Sequence, residues 1–237
     1  MANILNPNFE QYIRLTEFLG QALGPDYEIA LHDLTSKERS IIAIANGHIS
    51  GREVGAPLTN MALSILRDKS YESADYRLHY YGISVNGKVL RSNTLFIKQD
   101  GKLVGMLCIN FDDGRYRALS TQLLGLCHPD MFVSDVLPPN ITGMQPPPAN
   151  RPAPEKFRNS ADAVAVDAIN RELEHLGVTA ERLTSDERLH IITALERDGI
   201  FLLKGVVKDV AAGLCCSQAS VYRYLSQIKN AAPEDSV

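Results

Sequence analysis

No apolar run in this chain of 237 residues approaches the roughly 20 residues that span a bilayer. The N-terminus carries no basic-then-apolar pattern, so the expectation is a cytoplasmic protein with no membrane association. Cysteine is scarce. Cys108, Cys127, Cys215 and Cys216 form no C-x-x-C pair, which excludes the common zinc frames, and their apolar surroundings read as core. Phosphate-cradling loops are missing as well. The glycine-containing stretch 46–55 has neither the G-K-[ST] ending of a Walker loop nor the G-x-G-x-x-G spacing of a dinucleotide fold. No Ser-His-Asp or Cys-His grouping stands out, so neither an enzyme nor a cofactor or metal protein is expected. Positive charge is not in excess either. The 24 Lys and Arg against 28 Asp and Glu leave a net charge of -4, which excludes a general nucleic-acid coat.

Proline is present but concentrated. Seven of the twelve prolines fall between Pro138 and Pro154, a composition that favours extended backbone and continues neither helix nor sheet. This divides the chain into a first domain over 8–136, a linker over 137–157, a linking helix over 158–179 and a C-terminal domain over 180–230.

The first domain opens with an amphipathic helix carrying Phe9, Tyr12, Ile13, Leu15, Phe18 and Leu19 and ending before Gly24-Pro25. Strands over 27–32 and 40–45 follow, then a helical pattern over 57–66. Next comes a meander over 80–85, 89–97 and 103–111, punctuated by Asn86-Gly87 and Asp100-Gly101, which are strong hairpin signals. Two strands, a helical middle and a three-strand meander give an α+β domain with one antiparallel sheet, in PAS order. Asp112-Asp113-Gly114 reads as a turn. Arg52 can clamp a carboxylate, with His32, Asn46, Ser92 and Thr94 as further polar contacts to a small ligand; the alternative is that Arg52 pairs with Glu53 or caps a loop at the surface.

In the linking helix, Val166, Ile169, Leu173 and Leu176 recur at spacings of three, four and three. This suits either half of a dimer seam or packing within one chain. Thr184-Ser185-Asp186-Glu187 has the form of a capping box, opening a helix that ends near Gly199. The stretch 208–225 then has a helix-turn-helix pattern. Val210 and Ala211 face inward on a first helix, Leu214 and Cys216 bracket a turn, and Val221, Tyr224 and Leu225 bury one side of a second. Ser217 suits its N-cap. Ser217, Gln218, Ala219, Ser220, Tyr222 and Arg223 are left to face a double-stranded DNA operator. Gln pairs bidentately with adenine and Arg with guanine, while Ala touches a thymine methyl.

Two features count against this reading. Cys215 stands where such turns usually have Gly. Residues 180–237 also carry seven Lys or Arg against eight Asp or Glu, although phosphate contacts supply most DNA affinity.

The runs IAIANGHISGREVGAPLT (42–59), GKVLRSNTLFI (87–97) and GMLCINFD (105–112), with the C-terminal segment, resemble the YheO-like regulators, which join a PAS-like domain to a helix-turn-helix. The resemblance covers nearly all the chain outside the linker. It implies a cytosolic bacterial DNA-binding protein and points toward amino-acid catabolism. The expectation is a homodimeric transcriptional regulator whose first domain senses a small polar effector, an amino acid or derivative. The alternative is a protein-protein or small-molecule-binding module that does not read DNA.

Overall fold

The computed structural model describes residues 7–128 and 155–231. The end of the expected first domain over 129–136 and the proline-rich linker up to Pro154 lie outside them. The first part consists of α1 (Pro7–Leu23), β1 (Tyr27–Asp33), β2 (Ile41–Ala45), α2 (Asn60–Asp68), β3 (Tyr76–Ile83), β4 (Val89–Gln99), β5 (Lys102–Phe111) and α3 (Gly114–Cys127). Its strands lie in the order β2-β1-β5-β4-β3, each neighbouring pair antiparallel. The PAS-like sheet expected from the strand order is therefore present. Asp100 and Gly101 have φ of 52° and 75°, so both take the left-handed conformation that a two-residue hairpin needs to match strand twist.

Strand alternation divides the side chains between two faces. On the outer face Ile29, Leu31, Ile97 and Leu107 meet Phe9, with Tyr12 and Ile13 of α1 packed against them. On the inner face Ala30, Phe96, Met106 and Cys108 share a core with Leu58, Met61, Leu63 and Ile65. Thr59 starts α2 by accepting a hydrogen bond from the Ala62 N–H at 3.2 Å.

The chain returns to the sheet where the sequence suggests linker. Glu155–Lys156 form β6, a short edge strand parallel to β3, with Gly82 opposite Glu155 and Ile83 opposite Lys156. Prolines cannot supply ladder donors, but the proline tract ends at Pro154. Phe157 then buries against Ile49 and Leu90. A Cβ at Gly82 would lie 2.5 Å from the Phe157 ring, so that glycine makes the docking possible.

The helical part comprises α4 (Ala161–Leu176), α5 (Ser185–Arg197), α6 (Val206–Gly213) and α7 (Gln218–Ala231). The α5 N-terminus is a complete capping box between Thr184 and Glu187. In α4 the buried face is Val164, Ala165, Ala168 and Ile169, while Val166 is exposed. Of the two roles open to this helix, packing within the chain is the one Ile169 serves.

The PAS-like and helical parts share one continuous core. Leu63 and Ile65 belong to the same buried cluster as Ile191, Leu195, Ile200 and Val221. Arg67 of α2 and Glu196 of α5 form an ion pair at 3.3 Å, and Glu38 accepts the Lys204 N–H.

Candidate functional site

Helix-turn-helix geometry requires a tight stop to its first helix. Here the Cys216 N–H donates to the Ala211 carbonyl at 2.9 Å and the Cys215 N–H to the Ala212 carbonyl at 3.2 Å. These two bonds make a Schellman turn, whose pivot must be left-handed. Cys215 is that pivot, with φ of 49° and an exposed side chain. The turn thus keeps its usual shape with an unusual residue. Arg188 of α5 adds a clamp, donating from Nε to the Leu214 carbonyl at 3.2 Å.

Beyond the turn, Ser217 accepts from the Ser220 N–H at 3.1 Å, and the two hydroxyls lie 3.0 Å apart. Val210, Ala211, Leu214, Val221 and Tyr224 are buried. Ser217, Gln218, Ala219, Tyr222 and Arg223 are exposed and Ser220 half-buried, so the six side chains cluster on the first turns of α7. Those turns are the part of a recognition helix that reaches base edges. The Arg223 guanidinium lies 5.3 Å from the Tyr224 ring centroid, which steadies it at the rim of that face. Lys208 and Lys229 are exposed and available for phosphates.

A second constellation lies on the inner face of the sheet. Glu28, Asn110, Ser92 and Tyr80 pair in register across β1, β5, β4 and β3, forming a polar row through the middle of an apolar sheet. At about 4.8 Å between strands the row spans roughly 14 Å. Asn110 donates to Glu28 Oε1 at 2.9 Å, and the Ser50 N–H donates to Oε2 at 3.1 Å. Thr94, one step along, lies 2.7 Å from the Tyr80 hydroxyl and 3.3 Å from Cys108 Sγ. The loop between β2 and α2 brings Arg52 into the same interior, where Nη2 donates to the Pro57 carbonyl. Glu155 completes the set from β6, with Oε1 accepting from Thr59 at 2.6 Å.

Burial governs the charges here. It raises the carboxyls of Glu28 and Glu155 above the ordinary range, against the opposing pull of their hydrogen bonds and of Arg52. Burial also lowers Arg52 and pushes the Cys108 thiol up to about 12. His32, with Nδ1 2.9 Å from Ser40 Oγ, is held well below its usual value by burial and then by Arg52, so it is neutral at physiological pH. Among the described residues no three His, Cys, Asp or Glu are placed to hold a metal ion.

Four buried polar atoms in this interior lack a partner: Arg52 Nε, Ser92 Oγ, Asn110 Oδ1 and Glu155 Oε2. The Tyr80 hydroxyl beside Glu155 helps to hold its carboxyl down, yet leaves Oε2 without a well-formed bond. An unsatisfied buried polar group costs about 1–3 kcal/mol, so four such atoms in one interior set it apart from an ordinary apolar core.

Of the residues singled out from sequence, the structure gathers Arg52, Ser92 and Thr94, with His32 at the same inner face. Asn46 is apart. Its Nδ2 donates to the carbonyls of Gly20, Gly24 and Tyr27 at 3.2, 3.1 and 2.7 Å, fastening the end of α1 to the sheet. Among the described residues Arg52 has neither the pairing with Glu53 nor any other ion pair within 4 Å. Sequence reading passed over Glu28, Thr59, Tyr80, Asn110 and Glu155. For Glu28 and Asn110 the signal was a polar residue alternating in phase with core positions. For Glu155, behind a proline tract, there was none.

The YheO-like PAS domain family matches residues 4–128, and a helix-turn-helix domain family matches residues 160–226. An uncharacterized protein of Haemophilus influenzae is 28% identical over 92% of this chain and 90% of its own. The protein YheO of Escherichia coli is 25% identical over 93% of this chain and 85% of its own. The transcriptional regulator DauR of Pseudomonas aeruginosa is 25% identical over 94% of this chain and 96% of its own. A PAS-like sheet with a polar interior, joined to a helix-turn-helix and matched over both parts, places this chain in the YheO-like PAS domain family.

Proposed function

We propose that this chain is a cytoplasmic, homodimeric transcriptional regulator that reads a specific operator and answers to a small polar metabolite, an amino acid or derivative. The helix-turn-helix makes it a DNA-binding protein. The relative named as a transcriptional regulator, similar over nearly its whole length, supports the regulatory role. The observation that carries the reading is the α7 face, where Gln218, Ala219, Tyr222 and Arg223 stand exposed while Val221 and Tyr224 anchor the helix behind them. A residue bidentate to a base is worth about 1–3 kcal/mol of discrimination.

Sensing is supported by the unpartnered interior around Arg52. Dimerisation is supported by α3, none of whose residues is buried. Its Tyr116, Leu119, Leu123 and Leu126 are 56%, 64%, 61% and 83% exposed and recur at three, four and three. An apolar stripe of that period suits a two-stranded seam. Two copies would present two recognition helices to half-sites about 34 Å apart.

The test is a fluorescence-anisotropy titration of the full-length protein against fragments flanking its own gene, at several salt concentrations. Sequence-selective binding that Arg223→Ala weakens about 5–150-fold is expected, the equivalent of about 1–3 kcal/mol. Equal, weak binding to all fragments by both proteins would sink the reading.

A further inference from the structure

Glu155 belongs in sequence to the stretch that enters the helical part, five residues before Ser160, the N-cap of α4. In space it belongs to the sensor. Its backbone pairs with Gly82, its side chain takes the Thr59 hydroxyl, and Phe157 behind it is buried. The same short strap is tied on both sides. Lys156 N–H donates to Asn60 Oδ1 at 2.7 Å, Asn159 donates to the Gly51 carbonyl at 3.0 Å, and Arg158 pairs with Asp167 of α4. Thr59 also caps α2, the helix whose Arg67 holds Glu196 of α5.

The interior that Glu155 enters is unbalanced. It contains one guanidinium, Arg52, and two carboxyls, Glu28 and Glu155, and neither carboxyl comes within ion-pair distance of the guanidinium. Two of the unpartnered atoms, Glu155 Oε2 and Asn110 Oδ1, are acceptors. One, Arg52 Nε, is a donor, and the Ser92 hydroxyl can act either way. The complement of such a set is a molecule with a cationic, donor-rich nitrogen at one end and an acceptor at the other. A simple anion would meet one cation and two acids.

We propose that Glu155, with Asn110 and Ser92, forms the recognition end of an effector site that takes a small metabolite bearing a protonated nitrogen. Arg52 receives the acceptor end of that metabolite. Because Glu155 sits on the strap leading into α4, contact with the effector is passed to the helices that hold the DNA-reading face. This rests on the reading of the interior as an effector site. The raised carboxyls of Glu28 and Glu155 fit it, since both gain from a cation beside them.

The experiment is isothermal titration of full-length wild type and Glu155→Gln with lysine, putrescine, norleucine and glutamate, with thermal midpoints of both proteins taken without any probe. Gln keeps the acceptor for Thr59 and removes the charge. Binding of lysine or putrescine but not of norleucine or glutamate, weakened at least tenfold by Glu155→Gln, is the expected result. Preference for glutamate, or equal binding of lysine by both proteins, overturns the proposal. Should none of the four bind, the midpoints decide. An unchanged or higher midpoint in Glu155→Gln upholds an unmatched charge, while a fall of several degrees shows that Glu155 serves as the counter-charge of Arg52 and overturns the proposal. Operator affinity without a probe is measured separately, so failure of the DNA-reading role is told apart from failure here.

Discussion

Replacing Cys215 by Gly tests the turn on which the DNA-reading face depends. A residue with a Cβ in the left-handed conformation costs about 1–2 kcal/mol relative to an unstrained position. Glycine removes that strain but loosens the unfolded chain, which takes back about 0.4–1 kcal/mol. The Cys215 side chain is exposed and its thiol is free, so little packing is lost. Cys215→Gly should therefore stabilise the protein by about 0.5–1 kcal/mol, a rise of about 1–4 °C in a chain of this size. Differential scanning calorimetry under reducing conditions measures it. Cys215→Val should move the midpoint the other way, because a β-branched side chain tolerates the left-handed region least. The two Schellman bonds use backbone atoms only, so operator affinity of Cys215→Gly should match wild type. A lower midpoint for Gly than for Cys would refute the assignment of strain to this residue.

Three further outcomes are expected. Val221→Asp places an unpaired charge in the core and should cost about 3–5 kcal/mol, and because that core continues into α2 the sensor should lose stability with the helices; calorimetry showing an untouched sensor transition would contradict a shared core. Leu123→Glu should convert a dimer to a monomer in sedimentation equilibrium while leaving circular dichroism unchanged, since the residue is exposed within one chain; an unchanged sedimenting mass would remove α3 from the seam. For pH, a carboxyl raised on folding binds more protons in the native state between its unfolded and folded values, so its contribution to stability falls as pH rises through that window. The midpoint of wild type relative to Glu155→Gln should accordingly improve on acidification from neutral pH toward the ordinary carboxylate range; wild type losing ground to the variant on acidification would reverse the sign of the argument.

The elements that sequence reveals are those whose physics is local. The capping box at Thr184, the hairpin at Asp100-Gly101 and the inward set Val210, Ala211, Leu214, Val221 and Tyr224 all depend on neighbours within a few residues. β3 begins at Tyr76 rather than at the expected Tyr80, and a register shift between Arg77 and Tyr80, with His79 at φ of 59°, breaks the alternation by which its first residues could have been read. Helix α3 went unread for a different reason: none of its residues is buried among the described residues, so its apolar stripe belongs to no core cluster there. The candidate site was half legible. Arg52, Ser92 and Thr94 stood out as polar residues in an apolar stretch, whereas the partners that make them a site arrive by cross-strand register, and in the case of Glu155 from beyond a proline tract.

The return of the chain to its own sheet at β6 alters what the proline-rich stretch is for. With β5 and β6 in the same sheet, and α2 packed on the far helices, covalent continuity is not what keeps the reading helix against the sensor. A chain cut between His128 and Glu155 should yield two fragments that remain one particle, held by Phe157, by the Thr59–Glu155 bond and by the core they share. On the proposed reading of the first domain as a sensor, any signal to the DNA-reading helix passes through these packed surfaces, and lengthening the intervening stretch should leave operator affinity largely intact.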